Sequence, residues 1–419
     1  MSSGSPIRAL SIQETSLGET SGEELFESFE PTERVELAAP LVVYSHLRWS
    51  SVFQRPQQLM SRLARRRLVV FLEEPVRGER DGWELARPAR NLLVARPITP
   101  VDAPGFHADQ MARLRPMLRR LLAWRGIGPH TAWLYTPMAW PLAKRLEPDT
   151  VIYDCMDELS SFAGAPEGLK ELERELLAAA DLVFTGGPSL YRVKRTLHER
   201  VRCVPSSVDA AHFRSGARNT PADQARIARP RLGYYGVLDE RLDRELLAAL
   251  AQARPEWQIV LVGPVVKIDA GSLPRGPNLH YLGERRYDDL PAYLEGWDAC
   301  LLPFALNEAT RFISPTKTLE YMAAEKPIVS TPIRDVVEPY GDIVYVASAD
   351  EFVAACERAL HAPADERLLR LARMRGVLAS RSWDATAETM LRELEFVERA
   401  NRVPLRVGAP AAASGRAAT

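Results

Sequence analysis

The sequence is poor in the residue type that forms disulfide scaffolds and structural zinc sites. It contains only four cysteines in 419 residues, and no two of them form a Cys-x-x-Cys pair. This excludes both kinds of scaffold and favours a reducing compartment. No apolar run approaches the roughly 20 residues of a membrane-spanning helix, and no secretory signal is visible at the N-terminus. We therefore expect a cytoplasmic protein.

Several signatures of catalytic and cofactor sites are also missing. The chain has no Asp-x-Asp, the usual cation-holding pattern of metal-dependent sugar transferases, and no His-Glu-x-x-His or P-loop. It has no Gly-x-Ser-x-Gly nucleophile elbow and no Gly-x-Gly-x-x-Gly dinucleotide fingerprint. These absences favour a site with no metal and no cofactor, in which a helix end, lysine and arginine face a phosphate.

The net charge of −1 conceals an uneven distribution. Hydrophobic residues make up 46% and charged residues 26% of the chain, which excludes global disorder. Residues 1–36 carry a net charge of −6, whereas residues 48–125 contain sixteen arginines, no lysine and seven acids, for a net charge of +9. Lysine is scarce, with six in the chain. The overall balance gives no indication of a nucleic-acid partner.

The order of apolar and amphipathic segments predicts an α/β protein. Short apolar strands alternate with helices, which implies parallel sheets covered on both faces. Two such runs imply two doubly wound domains that face each other, with ligands beyond the carboxyl ends of the strands. The predicted strands are 41–45, 68–73, 92–95, 132–135, 151–154, 182–185, 201–204, 232–235, 258–262, 278–282, 299–303, 327–330 and 343–346.

We divide the chain at its changes of composition. Two tails are expected to be disordered, and a loop at 214–230 is expected to link the halves. The predicted segments are an acidic tail (1–38), an N-terminal domain (39–225), a C-terminal domain (229–382), a final helix (383–402) and a second tail (403–419).

The most informative segment runs from residue 307 to residue 324. Ser314 is a good N-cap and Pro315 a good first helical residue. Lys317 then lies in the first turn, where the helix dipole disfavours a cation unless an anion lies between them. Glu320 shares its helix face and could accept a hydrogen bond from a sugar or ribose hydroxyl. The alternative is a surface ion pair between Lys317 and Glu320.

Other candidates follow the ends of predicted strands. Gly236 lets the backbone approach a ligand, and Arg241 could bind a diphosphate with two parallel hydrogen bonds. The alternative for this pair is a turn glycine and a solvated arginine. Asp154 and Asp157 could orient an acceptor hydroxyl or merely cap a turn. After the first strand, polar and aromatic side chains gather at the expected cleft: His46, Arg48, Trp49, Gln54 and Arg55.

Five short motifs resemble those of bacterial GT-B glycosyltransferases. The strongest are Tyr-Asp-Cys-Met-Asp-Glu-Leu at 153–159 and Ser-Pro-Thr-Lys-Thr-Leu-Glu-Tyr-Met-Ala-Ala at 314–324. The similar group is loosely called family 1 or family 4 and includes teichuronic-acid-type polysaccharide transferases. The resemblance extends over about 40–400. The other three motifs are at 184–190, 205–209 and 382–384.

The resemblance implies two Rossmann-like domains that face each other across a cleft, as in GT-B folds. It implies a metal-independent, retaining transferase of the hexosyltransferase type that works in cell-surface polysaccharide biosynthesis. The C-terminal half would bind a nucleotide sugar and the N-terminal half a glycan or lipid-linked acceptor. The implied donor-binding residues are Gly236, Arg241, Gly263, Leu282, Ser314, Thr316, Lys317 and Glu320. The implied acceptor-binding residues are His46, Arg48, Trp49, Gln54, Arg55 and Asp154, and the implied catalytic residues are His46, Asp157, Arg241 and Lys317.

The sequence departs from the pattern of these enzymes in two places. Glu320 matches the second glutamate of their Glu-x7-Glu motif, but Phe312 stands where the first is expected. The usual Ala-Gly-Lys-Pro turn has Glu325 in place of glycine. The missing glutamate keeps open the alternative of a non-catalytic binding module. Another enzyme class on this fold (an epimerase or phosphorylase) is a second alternative. Possible substitutes for the missing glutamate are Asn307, Glu308, Thr310 and Arg311.

The basic stretch at 113–125 suggests a peripheral contact with an anionic membrane. It combines arginines, leucines and a tryptophan, a mixture that can lie on anionic lipid. Such a contact would place the protein at the inner face of the plasma membrane. The alternative is an ordinary solvated helix face.

Overall fold

The computed structural model describes residues 38–214, 216 and 219–402. The predicted tails lie outside these residues, apart from Ala38. The described chain forms two sheets with helices on both faces, and all but one of the strand pairs are parallel. The predicted α/β class and the doubly wound arrangement are confirmed.

The N-terminal sheet has nine strands in the order β3-β5-β2-β1-β6-β7-β8-β9, and β4 pairs antiparallel with β5. Its central strands are buried along their whole length, because helices cover both faces. The strands are β1 (Leu41–Ser45), β2 (Val69–Glu73), β3 (Val76–Arg77), β4 (Gly82–Ala89), β5 (Leu92–Thr99), β6 (Thr131–Leu134), β7 (Thr150–Cys155), β8 (Leu182–Thr185) and β9 (Val201–Cys203).

The C-terminal sheet has six parallel strands in the order β12-β11-β10-β13-β14-β15. The chain order therefore reverses between β10 and β13, which is where doubly wound sheets open a binding crevice. The strands are β10 (Arg231–Tyr235), β11 (Gln258–Val262), β12 (Leu279–Gly283), β13 (Ala299–Leu302), β14 (Ile328–Ser330) and β15 (Tyr345–Val346).

Fourteen α-helices connect the strands in the described part of the chain. Those of the N-terminal half are α1 (Arg55–Leu63), α2 (Met111–Trp124), α3 (Trp140–Ala143), α4 (Leu169–Ala179) and α5 (Pro188–Lys194). The rest are α6 (Ala210–Phe213), α7 (Ala222–Ala225), α8 (Arg244–Ala253), α9 (Leu290–Glu295), α10 (Lys317–Ala323), α11 (Arg334–Tyr340), α12 (Phe352–His361), α13 (Ala364–Ala379) and α14 (Trp383–Arg402). None of the described helices is both long and apolar enough to cross a bilayer.

The last helix, α14, completes the core of the N-terminal half. Trp383, Met390 and Leu394 lie in the same apolar cluster as strands β1 and β2. The buried Arg67 donates two hydrogen bonds to Glu398, at 2.7 and 3.0 Å. The chain thus crosses between the halves twice, once before β10 and once before α14.

The packing boundary between the halves precedes the predicted one at 225. Val208 and Phe213 belong to the core cluster of the C-terminal half. Gln224 is fully buried and bonds to Tyr293 and Trp297 of that half. The predicted linker therefore includes a short helix, α7, which composition alone did not reveal.

The apolar side of α2 is also accounted for by packing. Leu114, Leu118 and Leu121 lie in the N-terminal core cluster. They are not available to insert into a membrane, so the amphipathic pattern of this segment is that of a surface helix on a globular core.

Candidate active site

The loops at the carboxyl ends of the two sheets face each other. Phe162, which follows β7, contacts two residues of the C-terminal half that follow β10 and β11. Ser189, at the start of α5, donates from its backbone N to Asp335 of α11 at 3.1 Å. These contacts define a cleft between the halves.

Two glycines leave bare backbone on the C-terminal wall. Gly236 and Gly263 follow β10 and β11 and have φ angles of +135° and +148°, which other residues rarely adopt. A Cβ on Gly263 would lie 1.9 Å from the carbonyl oxygen of Gly236. Leu282, near the end of the neighbouring strand β12, packs its half-buried side chain on the C-terminal core.

Lys317 lies directly beside this backbone. A Cβ on Gly236 would be 2.7 Å from the Lys317 Nζ, so only glycine leaves the ammonium room. The Nζ is 5.7 Å from the centre of the Tyr234 ring. Within the described residues no carboxylate lies within ion-pair distance of it, and burial lowers its pKa. The Lys317 ammonium is therefore closely packed and has no anionic partner among the described residues.

Arg241 is the second cation of this wall. Asp239 orients it by accepting hydrogen bonds from its Nε at 3.0 Å and from its Nη2 at 2.6 Å. Its guanidinium carbon lies 5.5 Å from the centre of the Phe162 ring, across the cleft. Apart from Asp239, no acid of the described structure lies within ion-pair distance of the Arg241 guanidinium.

Helix α10 begins at Lys317, two residues later than the predicted start at Pro315. Thr316 occupies the N-cap position without a side-chain hydrogen bond. Ser314 instead lies against Gly187 of the N-terminal half. Glu320 accepts a short hydrogen bond from the Tyr235 hydroxyl, and burial raises its pKa. Its partner is therefore Tyr235, and the predicted surface ion pair with Lys317 is absent from the described contacts.

Two titratable residues of the N-terminal half face these cations. Burial raises the pKa of Asp157 to about 6, against the lowering effect of nearby Arg241 and Lys317. Burial and the charge of Lys267 lower the pKa of His46 to about 4. The His46 Nδ1 is buried without a hydrogen-bond partner among the described residues. At neutral pH His46 is thus a neutral imidazole within the electrostatic influence of Lys267.

Arg55 and Asp154 lie in the core rather than on the cleft wall. Both side chains are almost fully buried, and Arg55 binds Asp154 through its Nη2 at 2.8 Å and the Val204 carbonyl through its Nη1 at 2.8 Å. This ion pair joins α1 to β7 and β9. Its geometry favours a structural role over the acceptor contact expected for both residues.

The other acceptor-side candidates also make contacts within the N-terminal half. Arg48 bonds to the Glu74 carbonyl and to Glu73. The Trp49 ring makes an edge contact with Phe71, with ring centres 5.1 Å apart, and Gln54 caps helix α1. These residues shape the loop after β1 and thereby hold His46 in place.

Three contributors to the cleft were not predicted: Phe162, Lys267 and Asp335. Lys267 has a left-handed φ of +64°, and its Nζ lies 5.1 Å from the centre of the Phe162 ring. Asp335 binds both the backbone N and the hydroxyl of Ser189 across the cleft. No motif marks these residues, because their roles depend on which loops the fold brings together.

The two departures from the motif pattern have structural explanations. Phe312 packs against the core cluster of the N-terminal half, so it joins the halves at the place of the missing glutamate. Glu325 adopts the left-handed φ of +55°, so the turn is kept without glycine. The four candidate substitutes line a cavity of about 450 Å³ between the halves: Asn307, Glu308, Thr310 and Arg311.

Comparison with known proteins identifies the C-terminal half. Residues 229–362 match the family described as Glycosyl transferases group 1. These residues form a group 1 glycosyltransferase domain. The chain is also 26% identical over 307 residues to TuaH of Bacillus subtilis (strain 168), which is named as a teichuronic acid biosynthesis glycosyltransferase. That match covers 67% of this chain and 76% of TuaH.

Solved structures show the GT-B fold for nearly the whole described chain. Sucrose-phosphate synthase from Thermosynechococcus elongatus superposes with a TM-score of 0.67 at 16% identity, over 87% of this chain and all of that one. HepE of Anabaena, in complex with UDP and glucose, gives 0.62 at 13% identity, over 85% of this chain and all of that one. The predicted fold is thus confirmed, and the match to Glycosyl transferases group 1 together with the similarity to TuaH confirms the assignment as a glycosyltransferase enzyme.

Within the described residues, no group of three or more His, Cys, Asp or Glu side chains is placed to hold a metal ion. Metal independence remains a prediction.

Proposed function

We propose that this glycosyltransferase moves a sugar from a nucleoside-diphosphate sugar to a glycan or lipid-linked acceptor in polysaccharide biosynthesis. The reaction would need no metal and would retain the anomeric configuration. The enzyme would work in the cytoplasm, at the inner face of the plasma membrane when its acceptor is lipid-linked. The donor would bind the C-terminal wall of the cleft and the acceptor the N-terminal wall.

One observation carries the proposal. Lys317 lies against the bare backbone of Gly236 and within the electrostatic influence of Arg241, and no described carboxylate is within ion-pair distance of its ammonium. A diphosphate there would be bound by an ammonium and a guanidinium, beside glycine backbone that carries no side chain to obstruct it. Charge-assisted hydrogen bonds of this kind are among the strongest in proteins.

The same groups suit the chemistry of glycosyl transfer. When the bond between the sugar and the diphosphate breaks, negative charge grows on the leaving group. Fixed cations stabilise that charge without reorganising during the step. Burial lowers the pKa of Lys317, and an anion that binds beside it would raise that pKa and favour the charged ammonium. The neutral His46 on the opposite wall would face the acceptor.

A thermal-shift screen of nucleoside diphosphates and nucleotide sugars tests the proposal. A ligand at 100 times its dissociation constant should add about 2.7 kcal/mol of stability. Lys317→Met should weaken the affinity roughly 10- to 100-fold, which is the value of one hydrogen bond to a charged group. The matched control is Lys170→Met, an exposed lysine on α4, which should bind like the wild type.

The outcomes separate the alternatives. A response to no nucleotide contradicts the proposal, and equal binding by the Lys317 and Lys170 variants contradicts the role of Lys317. Donor binding without turnover in the presence of cell-envelope glycans points to a binding module. Donor conversion with no acceptor present points to an epimerase.

A further inference from the structure

The arginines between residues 48 and 125 divide into two groups. Nine of the sixteen have an acidic partner within ion-pair distance, such as Arg65 and Arg66 of the loop after α1, which bind acids of α14. Seven have none within the described structure. Six of those seven lie on α2 and at the end of β4, and we call them the arginine face: Arg87, Arg90, Arg115, Arg119, Arg120 and Arg125.

The arginine face is built by two parallel elements on one flank of the N-terminal half. Arg113, near the start of α2, binds Asp81 beside the start of β4 at 3.1 Å. Arg125, after the end of α2, is close enough to Arg87, near the end of β4, for the two charges to repel. Helix and strand therefore run side by side for about 20 Å, the length of a helix of this size.

Among the described residues, no acid lies within ion-pair distance of the arginine face. Arg87 donates to the carbonyl of Arg90 at 2.7 Å, and Arg119 donates to the carbonyl of Arg145 at 3.1 Å. Such bonds fix the guanidinium groups but leave their charges uncompensated. Unpaired like charges at this spacing destabilise the protein unless an anion binds them.

We propose that the arginine face docks the enzyme on an anionic lipid bilayer. Between the arginines the outward side of α2 carries only Ala112, Pro116 and Ala123, and four members of the arginine face are exposed: Arg87, Arg90, Arg119 and Arg120. They can bind lipid phosphates with paired hydrogen bonds. Since the apolar side of α2 is buried in the core, docking is electrostatic and involves no insertion of this helix.

The shape and composition of the arginine face favour a bilayer over a nucleic acid. A bilayer presents a flat anionic surface that meets one flank of the protein. The outward positions of α2 carry no aromatic side chain for stacking on bases, since Trp124 is half-buried. Helix α2 also begins after the carboxyl end of β5, so the docked flank leads from the membrane to the edge of the cleft.

Co-sedimentation of the full chain with vesicles tests this inference, which does not rest on the identity of the donor. We expect sedimentation with vesicles that contain phosphatidylglycerol, little with pure phosphatidylcholine, and release at roughly 0.5 M salt. Each arginine near an anionic surface contributes about fivefold to the affinity, so Arg119→Ala with Arg120→Ala should lower it roughly 25-fold. Arg119→Lys with Arg120→Lys should keep most of the binding, because the charge is retained.

The matched control is Arg358→Ala with Arg367→Ala, two exposed arginines of α12 and α13 that have the same formal charge. This pair should bind vesicles like the wild type. Absence of sedimentation, an equal loss in the control pair, or retention of single-stranded RNA in preference to vesicles would overturn the inference. The nucleotide thermal shift should be unchanged in the Arg119 and Arg120 variant, so a failure here is distinct from a failure of the proposed function.

Discussion

At the scale of single residues, similar side chains of one loop have different roles. His46 and Arg55 both follow the first strand and both suggest a polar site in the sequence. Arg55 forms a buried ion pair with Asp154, whereas the half-buried His46 has a buried Nδ1 with no hydrogen-bond partner among the described residues. A sequence gives the residue types at a strand end but not their partners, so it could not separate the two cases.

The buried imidazole makes the stability of the protein sensitive to acid. Its folded pKa of about 4 lies below the ordinary 6.5. The unfolded chain therefore binds a proton at His46 between these values and the folded chain does not. This contribution to the free energy of unfolding is about 3 kcal/mol at most. It is fully present above pH 6.5 and is lost as the pH falls towards 4.

We expect His46→Gln to lose less stability than the wild type between pH 6.5 and pH 4. Urea unfolding across this range gives the difference between the two curves, in which other titrating groups cancel. His107→Gln, at an exposed histidine, should follow the wild type. Parallel curves for wild type and His46→Gln would contradict the prediction.

At the scale of elements, the regular alternation of strands and helices was predictable. The strands at 41–45, 182–185 and 258–262 have the predicted bounds, because buried parallel strands read as short continuous apolar runs. Strand β4 was missed because it lies at an exposed edge and contains Arg87 and Pro88. The start of α10 was misplaced because Ser314 contacts the other half instead of capping the helix.

The glycine pair at the ends of β10 and β11 gives a prediction at this scale. Gly263→Ala forces a Cβ to within 1.9 Å of the Gly236 carbonyl and strains a φ of +148°. We expect a loss of about 1–3 kcal/mol in the free energy of unfolding, together with weaker nucleotide binding. Urea unfolding and the thermal-shift screen measure the two effects.

Gly376 of α13 provides the matched control. A Cβ there meets nothing within 4 Å, and alanine is favoured over glycine in a helix by about 1 kcal/mol. Gly376→Ala should therefore stabilise the protein and leave nucleotide binding unchanged. If Gly263→Ala and Gly376→Ala changed the free energy of unfolding in the same direction, the close backbone approach at Gly263 would not be the cause.

At the scale of the whole molecule, the halves meet through contacts that no local pattern indicates. Phe312 packs on the opposite core, Asp335 binds Ser189, and Phe162 lies between two cations of the other half. The cleft itself was predictable from the fold class. Its closing contacts were not, because they join residues more than 70 positions apart along the chain.

The variant Phe312→Glu tests whether the site lacks a carboxylate that transfer needs or whether Phe312 has taken on a structural role at this position. Phe312→Glu would restore the expected carboxylate but place it against apolar side chains of the N-terminal core. We expect the free energy of unfolding to fall by about 1–3 kcal/mol, the cost of a poorly solvated polar group, with no gain in glycosyl transfer. Phe396→Glu, at an exposed position of α14, should have little effect. Increased transfer by Phe312→Glu would show that the site lacks a carboxylate.

The position of α14 has a consequence for how the protein is made. Residues of this helix complete the core around β1 and β2, although they are the last of the described chain to leave the ribosome. Domains usually fold from the N-terminus as they are synthesised. Here the first half must wait with an apolar face uncovered until the second half has been translated, so the two halves mature together.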